Sequence, residues 1–171
     1  MHPILRKMAT LDAPASPSPL PAQDTDQGTA WQLTLWLDKD LSKAADQARA
    51  LACAFPAALP ASSGFWQMER CPKTNALHLQ GYFKLQSNGR AKPLRKRMDA
   101  LLTEHGVETK AWFCLAKGSP LDNWNYCTKP DTRVVDAPME DGSTGSISTA
   151  WGLYKTSPPK ASQVGATAVL T

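Results

Sequence analysis

Three stretches of the chain alternate apolar and polar residues at the two-residue period of a half-buried strand. In WQLTLWL, Trp31, Leu33, Leu35 and Leu37 face one way and Gln32, Thr34 and Trp36 the other. In FWQMER, Trp66 and Met68 oppose Gln67 and Glu69. In LHLQGYFKL, Leu77, Leu79, Gly81, Phe83 and Leu85 oppose His78, Gln80, Tyr82 and Lys84, and KAWFCLA reads as a fourth strand. Elsewhere apolar residues recur every three or four positions. Leu41, Ala45, Ala48, Ala52 and Phe55 predict a helix that Asp38 caps and the Pro-rich FPAALPASSG ends. Leu94, Met98, Leu101 and Leu102 predict a second, starting near Lys92 with Pro93 in its first turn and closing at Gly106. SPLDNWNYCTK predicts a short helix capped by Ser119 that stops before Pro130, and TRVVDAP offers a last strand.

The order β-α-β-β-α-β specifies an α+β chain of the ferredoxin-like, RRM-like kind: an antiparallel sheet with helices on one face. The other face then stays open and carries Trp36, Glu69, His78, Gln80 and Tyr82. Residues 1–28, with APASPSPLPAQDTDQG, have the composition of a flexible leader. Residues 29–142 form the domain, and residues 143–171 are expected to be a flexible tail or linker, although Trp151, Leu153 and Tyr154 offer apolar groups that can dock.

Composition narrows the function classes. The 171 residues are 42% hydrophobic, enough for one core. The formal charge is +4, from 19 basic and 15 acidic residues, and it is uneven. Met1 to Gln27 is net −1, whereas Lys84 to Arg133, with ten basic and five acidic residues, is net +5. Such a bias permits nucleic acid as a partner without demanding it. No run reaches membrane-spanning length, so no membrane association is expected. Cys53, Cys71, Cys114 and Cys127 include no C-x-x-C pair, and the N-terminus has no apolar signal segment, which is the pattern of reduced thiols in a soluble intracellular protein.

The polar strand face carries the chemistry. His78 and Gln80 project in the same direction, roughly 7 Å apart, and Glu69 lies across from them if RCPKTNA forms a hairpin. An imidazole nitrogen, an amide oxygen and a carboxylate oxygen suit Mg²⁺ or Mn²⁺ with water or phosphate oxygens in the remaining positions, and suit structural zinc poorly. A solvent-facing strand carries the same H-x-Q pair, so spacing alone leaves both readings open. In NWNYCTK, Tyr126 and Lys129 stand at i and i+3 of a helix, hence side by side. An ammonium there favours phenolate and stabilises a phosphoryl transition state, though the same pair is common on solvated helices.

Taken in order and on matching elements, HLQG at His78 to Gly81 and YCTK at Tyr126 to Lys129 resemble the second and third motifs of a known family. These are the replication initiator (Rep) endonucleases of circular single-stranded DNA viruses, the circovirus, nanovirus and geminivirus groups of the HUH endonuclease superfamily. The resemblance runs from about Trp31 to Gly142. It implies that His78, Gln80 and the preceding Glu69 hold a divalent metal, Mn²⁺ or Mg²⁺, that Tyr126 is the nucleophile, and that Lys129 is its assisting cation. It further implies nicking and joining of single-stranded DNA at an origin stem-loop, through a 5′-phosphotyrosine link that starts rolling-circle replication, and a location in the host nucleus. The family's domain is commonly joined to a helicase, whose G-x-x-x-x-G-K-[ST] loop does not occur here.

The family's first motif, which usually reads like F-T-x-N-N, is replaced here by LTLWLDKD, with Thr34 kept and Trp36 and Leu37 in place of the Asn pair. Trp36 can stack on a base or pack as an edge residue under the leader. Lys92, Arg95, Lys96 and Arg97 can track a DNA backbone or form a solvated helix face. A competing reading is a non-catalytic RRM-like single-stranded nucleic-acid binder that uses Trp36, Tyr82 and nearby basic residues.

Overall fold

The computed structural model describes residues 20–59 and 62–152. In chain order the elements are β1 (Gln27–Trp36), α1 (Leu41–Ala58), β2 (Ser62–Arg70), β3 (Leu77–Arg90), α2 (Ala91–Glu104), β4 (Trp112–Leu115), α3 (Pro120–Cys127), β5 (Ala137–Pro138), β6 (Thr144–Gly145) and β7 (Ser148–Trp151). Five of the strands make one antiparallel sheet in the order β4-β1-β3-β2-β7, while β5 and β6 form a separate small pair. The β4-β1-β3-β2 part is the expected ferredoxin-like α+β arrangement.

Hydrophobic alternation decides which face is covered. Trp31, Leu33, Leu35, Met68, Leu79 and Phe83 point to one side and are buried against α1 and α2. These helices contribute Ala44, Ala45, Ala48, Leu51 and Phe55, and Leu94, Met98, Leu101 and Leu102, to the same core. The connection between β2 and β3 is a tight turn closed by Cys71 N–H to the Ala76 carbonyl (2.9 Å) and Asn75 N–H to the Cys71 carbonyl (2.8 Å). Asn75 has a positive φ of 61°, a conformation that asparagine tolerates better than most residues. Gly81 lies opposite Trp66, and a Cβ there would stand 2.8 Å from the Trp66 Cβ and 2.9 Å from the Phe65 carbonyl oxygen. The bare backbone at this position is what lets β3 and the Trp66 side chain pack together.

Several expected boundaries move. Asp40, not Asp38, caps α1 by accepting from Lys43 N–H, and Asp38 instead accepts from Asp40 N–H. The helix also runs through Pro56 to Ala58, because a proline in the last turn removes one hydrogen bond while Phe55 and Leu59 stay buried. TRVVDAP does not supply the sheet's extra strand: Arg133 makes an isolated bridge to Glu69, and Ala137–Pro138 pairs with β6. The extra strand is β7, within the stretch expected to be a tail, and Trp151 is buried against Phe55 with its indole N–H donating to Ser62 Oγ (3.0 Å). At the other end Ala22 is buried, its N–H bonded to the Phe113 carbonyl, so part of the expected leader lies on the domain. The rest of that leader, residues 1–19, and residues 153–171 of the expected tail lie outside the described residues.

Two substitutions test this packing. Trp151→Ala should cost about 3–5 kcal/mol of unfolding free energy in urea denaturation, and a loss under about 1 kcal/mol would place β7 outside the cooperative unit. Gly81→Ala should cost about 1–3 kcal/mol through overpacking against Trp66, read in the same assay.

Candidate active site

The sheet face away from α1 and α2 is organised in cross-strand rows. Pairing of β1, β3 and β2 sets Trp36 beside His78 beside Glu69, then Thr34 beside Gln80 beside Gln67, then Gln32 beside Tyr82 beside Phe65. The first two rows hold the candidate chemistry. All three expected metal-binding residues are nearly buried: Glu69 is 2% exposed, His78 8% and Gln80 7%.

Glu69, His78, Thr34, Gln80 and Gln67 in these rows each have a polar partner. The Gln80 amide donates to the Leu33 carbonyl (3.2 Å), which turns its Oε1 toward the cleft, where Thr34 Oγ1 donates to it (3.1 Å). Glu69 Oε1 accepts from Gln67 Nε2 (2.9 Å). Glu69 Oε2 faces both His78 Nε2 (3.5 Å) and Lys129 Nζ (3.7 Å). Burial alone would raise the Glu69 carboxyl pKa, but hydrogen bonding with His78 and Gln67 and the Lys129 charge outweigh it and hold the group below its ordinary range. Glu69 is therefore an anion at neutral pH. The Trp36 ring lies 4.9 Å from the His78 ring, at the partly exposed edge of the site.

The third helix brings the phenol to this face. Ser119 caps the helix with Pro120 in the first turn, as the sequence predicts, and Asp122 completes a reciprocal capping box. Buried Asn123 accepts from Gln32 Nε2 (2.7 Å) and donates to the Lys117 and Ser119 carbonyls, tying the helix start to β1. Cys127 is fully buried near Phe65 and Tyr82, with Trp124 packed against the cluster. Burial first, and the nearby Glu69 charge second, push the Cys127 thiol far up, so it is neither thiolate nor nucleophile. Tyr126 is 49% exposed in the last turn. Lys129 falls just beyond the helix rather than on it, yet its ammonium still lies 4.5 Å from the centre of the Tyr126 ring.

Glu69, His78, Gln80, Thr34, Trp36, Tyr126 and Lys129 line one cleft of about 380 Å³. Among the described residues no three His, Cys, Asp or Glu side chains gather as a metal-holding group; the set here is one carboxylate, one imidazole and one amide oxygen. It nevertheless has the chemistry of a site for a hard or borderline divalent ion. The Nδ1 atom of His78 is buried without a hydrogen-bond partner, and Gln67 already fixes the carboxylate, as an outer-shell residue of a metal site does.

Other expected contacts lie elsewhere. Tyr82 is buried, stacked on Phe65 at 5.5 Å, because α3 covers that part of the face; it is not an open platform for a base. Lys92, Lys96 and Arg97 are exposed on α2, which packs on the opposite side of the sheet. The Arg95 guanidinium is bonded to Asp24 and the Ala22 carbonyl and lies 5.3 Å from the Phe113 ring centre, so it ties the N-terminal segment to the core. Gln67 and Arg133 are the functional candidates that sequence reasoning passed over. Strand alternation puts Gln67 on the face of Glu69 and so signals it, whereas nothing local signals Arg133.

No family model matches the chain. Over 80 residues, 46% of this chain and 24% of the relative, the sequence is 31% identical to the Replication-associated protein of Goose circovirus. The match therefore spans about a quarter of that protein's length, and the chain is similar there to a viral replication protein.

Proposed function

We propose that the chain nicks and rejoins single-stranded DNA at a replication origin, through a covalent tyrosine link, as the initiator of rolling-circle replication. One observation carries the reading: Tyr126 and Lys129 line the same cleft as Glu69, His78 and Gln80, although they come from different parts of the fold. The similarity to a circovirus replication-associated protein supports it.

In this reading Tyr126 Oη attacks the scissile phosphorus and the P–O3′ bond breaks. The phenolic proton passes to solvent, and the leaving oxygen takes a proton to become a free 3′-OH. The phosphate stays on Tyr126 as a 5′-phosphotyrosine ester, so the bond energy is retained and a 3′-OH can reverse the step. Lys129, beside both the phenol ring and Glu69, offsets negative charge that develops between the phenolic and phosphoryl oxygens. Glu69, His78 and Gln80 would hold Mn²⁺ or Mg²⁺, which when bound polarises phosphate and stabilises a leaving oxygen. Trp36 at the cleft edge offers an aromatic face to a base. The partner is single-stranded DNA in an origin stem-loop, and a helicase domain belongs to the same reading as a partner outside this chain. The competing non-catalytic RRM-like binder loses one of its two aromatic platforms, because Tyr82 is buried.

Incubation with stem-loop oligonucleotides of randomised loop sequence and Mn²⁺ should yield a detergent-resistant protein–DNA adduct. Tyr126→Phe should abolish the adduct while leaving oligonucleotide binding nearly intact, and no adduct from the wild-type chain on any stem-loop would reject the nuclease. Lys129→Ala should slow adduct formation on the order of 10²-fold. Chelation with EDTA should stop adduct formation, and added Mn²⁺ or Mg²⁺ should restore it.

A further inference from the structure

We infer that Gln67 and Arg133 are positioning residues that set the Glu69 carboxylate and the Lys129 backbone against each other; this rests on the nuclease reading. The Gln67 side chain is 2% exposed and fully used. Its Nε2 donates to Glu69 Oε1 (2.9 Å) and to the Lys129 carbonyl (2.8 Å), while its Oε1 accepts from Arg133 Nε (3.0 Å). Arg133 Nη2 donates to the Thr128 carbonyl (2.6 Å). One amide thus joins the carboxylate on β2 to the segment that follows Tyr126.

The chemistry of the donors fixes the direction of this chain of bonds. A guanidinium can only donate, so Arg133 forces the oxygen of the Gln67 amide toward itself. The two amide hydrogens must then face Glu69 and the Lys129 carbonyl, which can only accept. Turned over, the amide would set its oxygen against the carboxylate. Arg133 is itself held by backbone bonds on either side, from Arg70 N–H to the Thr132 carbonyl (2.8 Å) and from Val134 N–H to the Met68 carbonyl (3.0 Å). Its side chain therefore reaches from a backbone stitched to β2 across to the Thr128 carbonyl just past α3 and to the Gln67 amide oxygen. With Glu69 Oε1 occupied by Gln67, Oε2 is left to face His78 and Lys129. A lysine at position 133 keeps the charge but lacks the planar fork that spans Gln67 and Thr128.

The test uses the full chain, the stem-loop oligonucleotide and Mn²⁺, with Gln67→Met and Arg133→Lys. Thermal unfolding identifies which variants are folded, and Arg133→Lys, at a half-buried position, carries the test if Gln67→Met does not fold. For folded variants the single-turnover rate at saturating oligonucleotide should fall about 10- to 100-fold, with oligonucleotide affinity in EDTA within about twofold of wild type. Direct Mn²⁺ binding, followed by the electron paramagnetic resonance of the free ion, should weaken about 10-fold or more for Gln67→Met. A wild-type adduct together with variants that match wild type in rate and in Mn²⁺ binding overturns the relay and leaves the nuclease standing. Retention of the rate by Arg133→Lys, with a changed salt dependence of DNA binding, overturns it too, since Arg133 would then act as a simple cation. Absence of the wild-type adduct rejects the nuclease and the relay with it.

Discussion

The pairing register of β2 with β3 is the constraint on which the site depends. It sets Glu69 opposite His78 and Gln67 opposite Gln80. A shift of one residue would turn every side chain of one strand to the other face, sending the carboxylate into the core and Met68 and Trp66 out of it. The energy that forbids this shift is mostly apolar burial, since Trp66, Met68, Leu77 and Leu79 are almost wholly removed from water. The polar face is thus specified by the face it does not share. The turn at Cys71–Ala76, with its left-handed asparagine, holds the same register from the hairpin end.

A buried carboxylate on such a face needs compensation, and β2 itself, the neighbouring β3 and the segment after α3 supply it. Glu69 stays ionised because its oxygens meet an amide, an imidazole and an ammonium from three parts of the chain. Lys129 consequently serves two partners, the Glu69 anion and the Tyr126 ring. The electrostatics of the cleft and the docking of the 127–134 segment are one arrangement rather than two.

Much of this was legible in the sequence, for identifiable reasons. Period-two alternation placed β1 to β3 and assigned Glu69, His78 and Gln80 to one face, because backbone geometry alone dictates which residues share a side. The Ser119–Pro120 start of α3 was legible because capping is local. Other features depend on contacts between distant residues. β7 is four residues long and joins the edge of β2, more than 80 positions earlier, so its short alternation carried no weight in isolation. Tyr82 reads as a surface aromatic until α3 docks over it. Arg133 lies in a segment with no periodicity, and its importance comes only from what Gln67 and Thr128 present to it. The roles proposed for Tyr126 and Lys129 came from resemblance to a family, not from their spacing.

The two ends of α3 are anchored independently. Asn123 and the capping box hold its start, while bonds from Arg133 and Gln67 hold the two carbonyls just past its end. A helix of two turns fastened in this way behaves as a bracket. The phenol it carries keeps only its two side-chain torsions as freedom, so under the nuclease proposed above most of the disorder that an attacking oxygen must surrender is removed when the chain folds, before any substrate arrives.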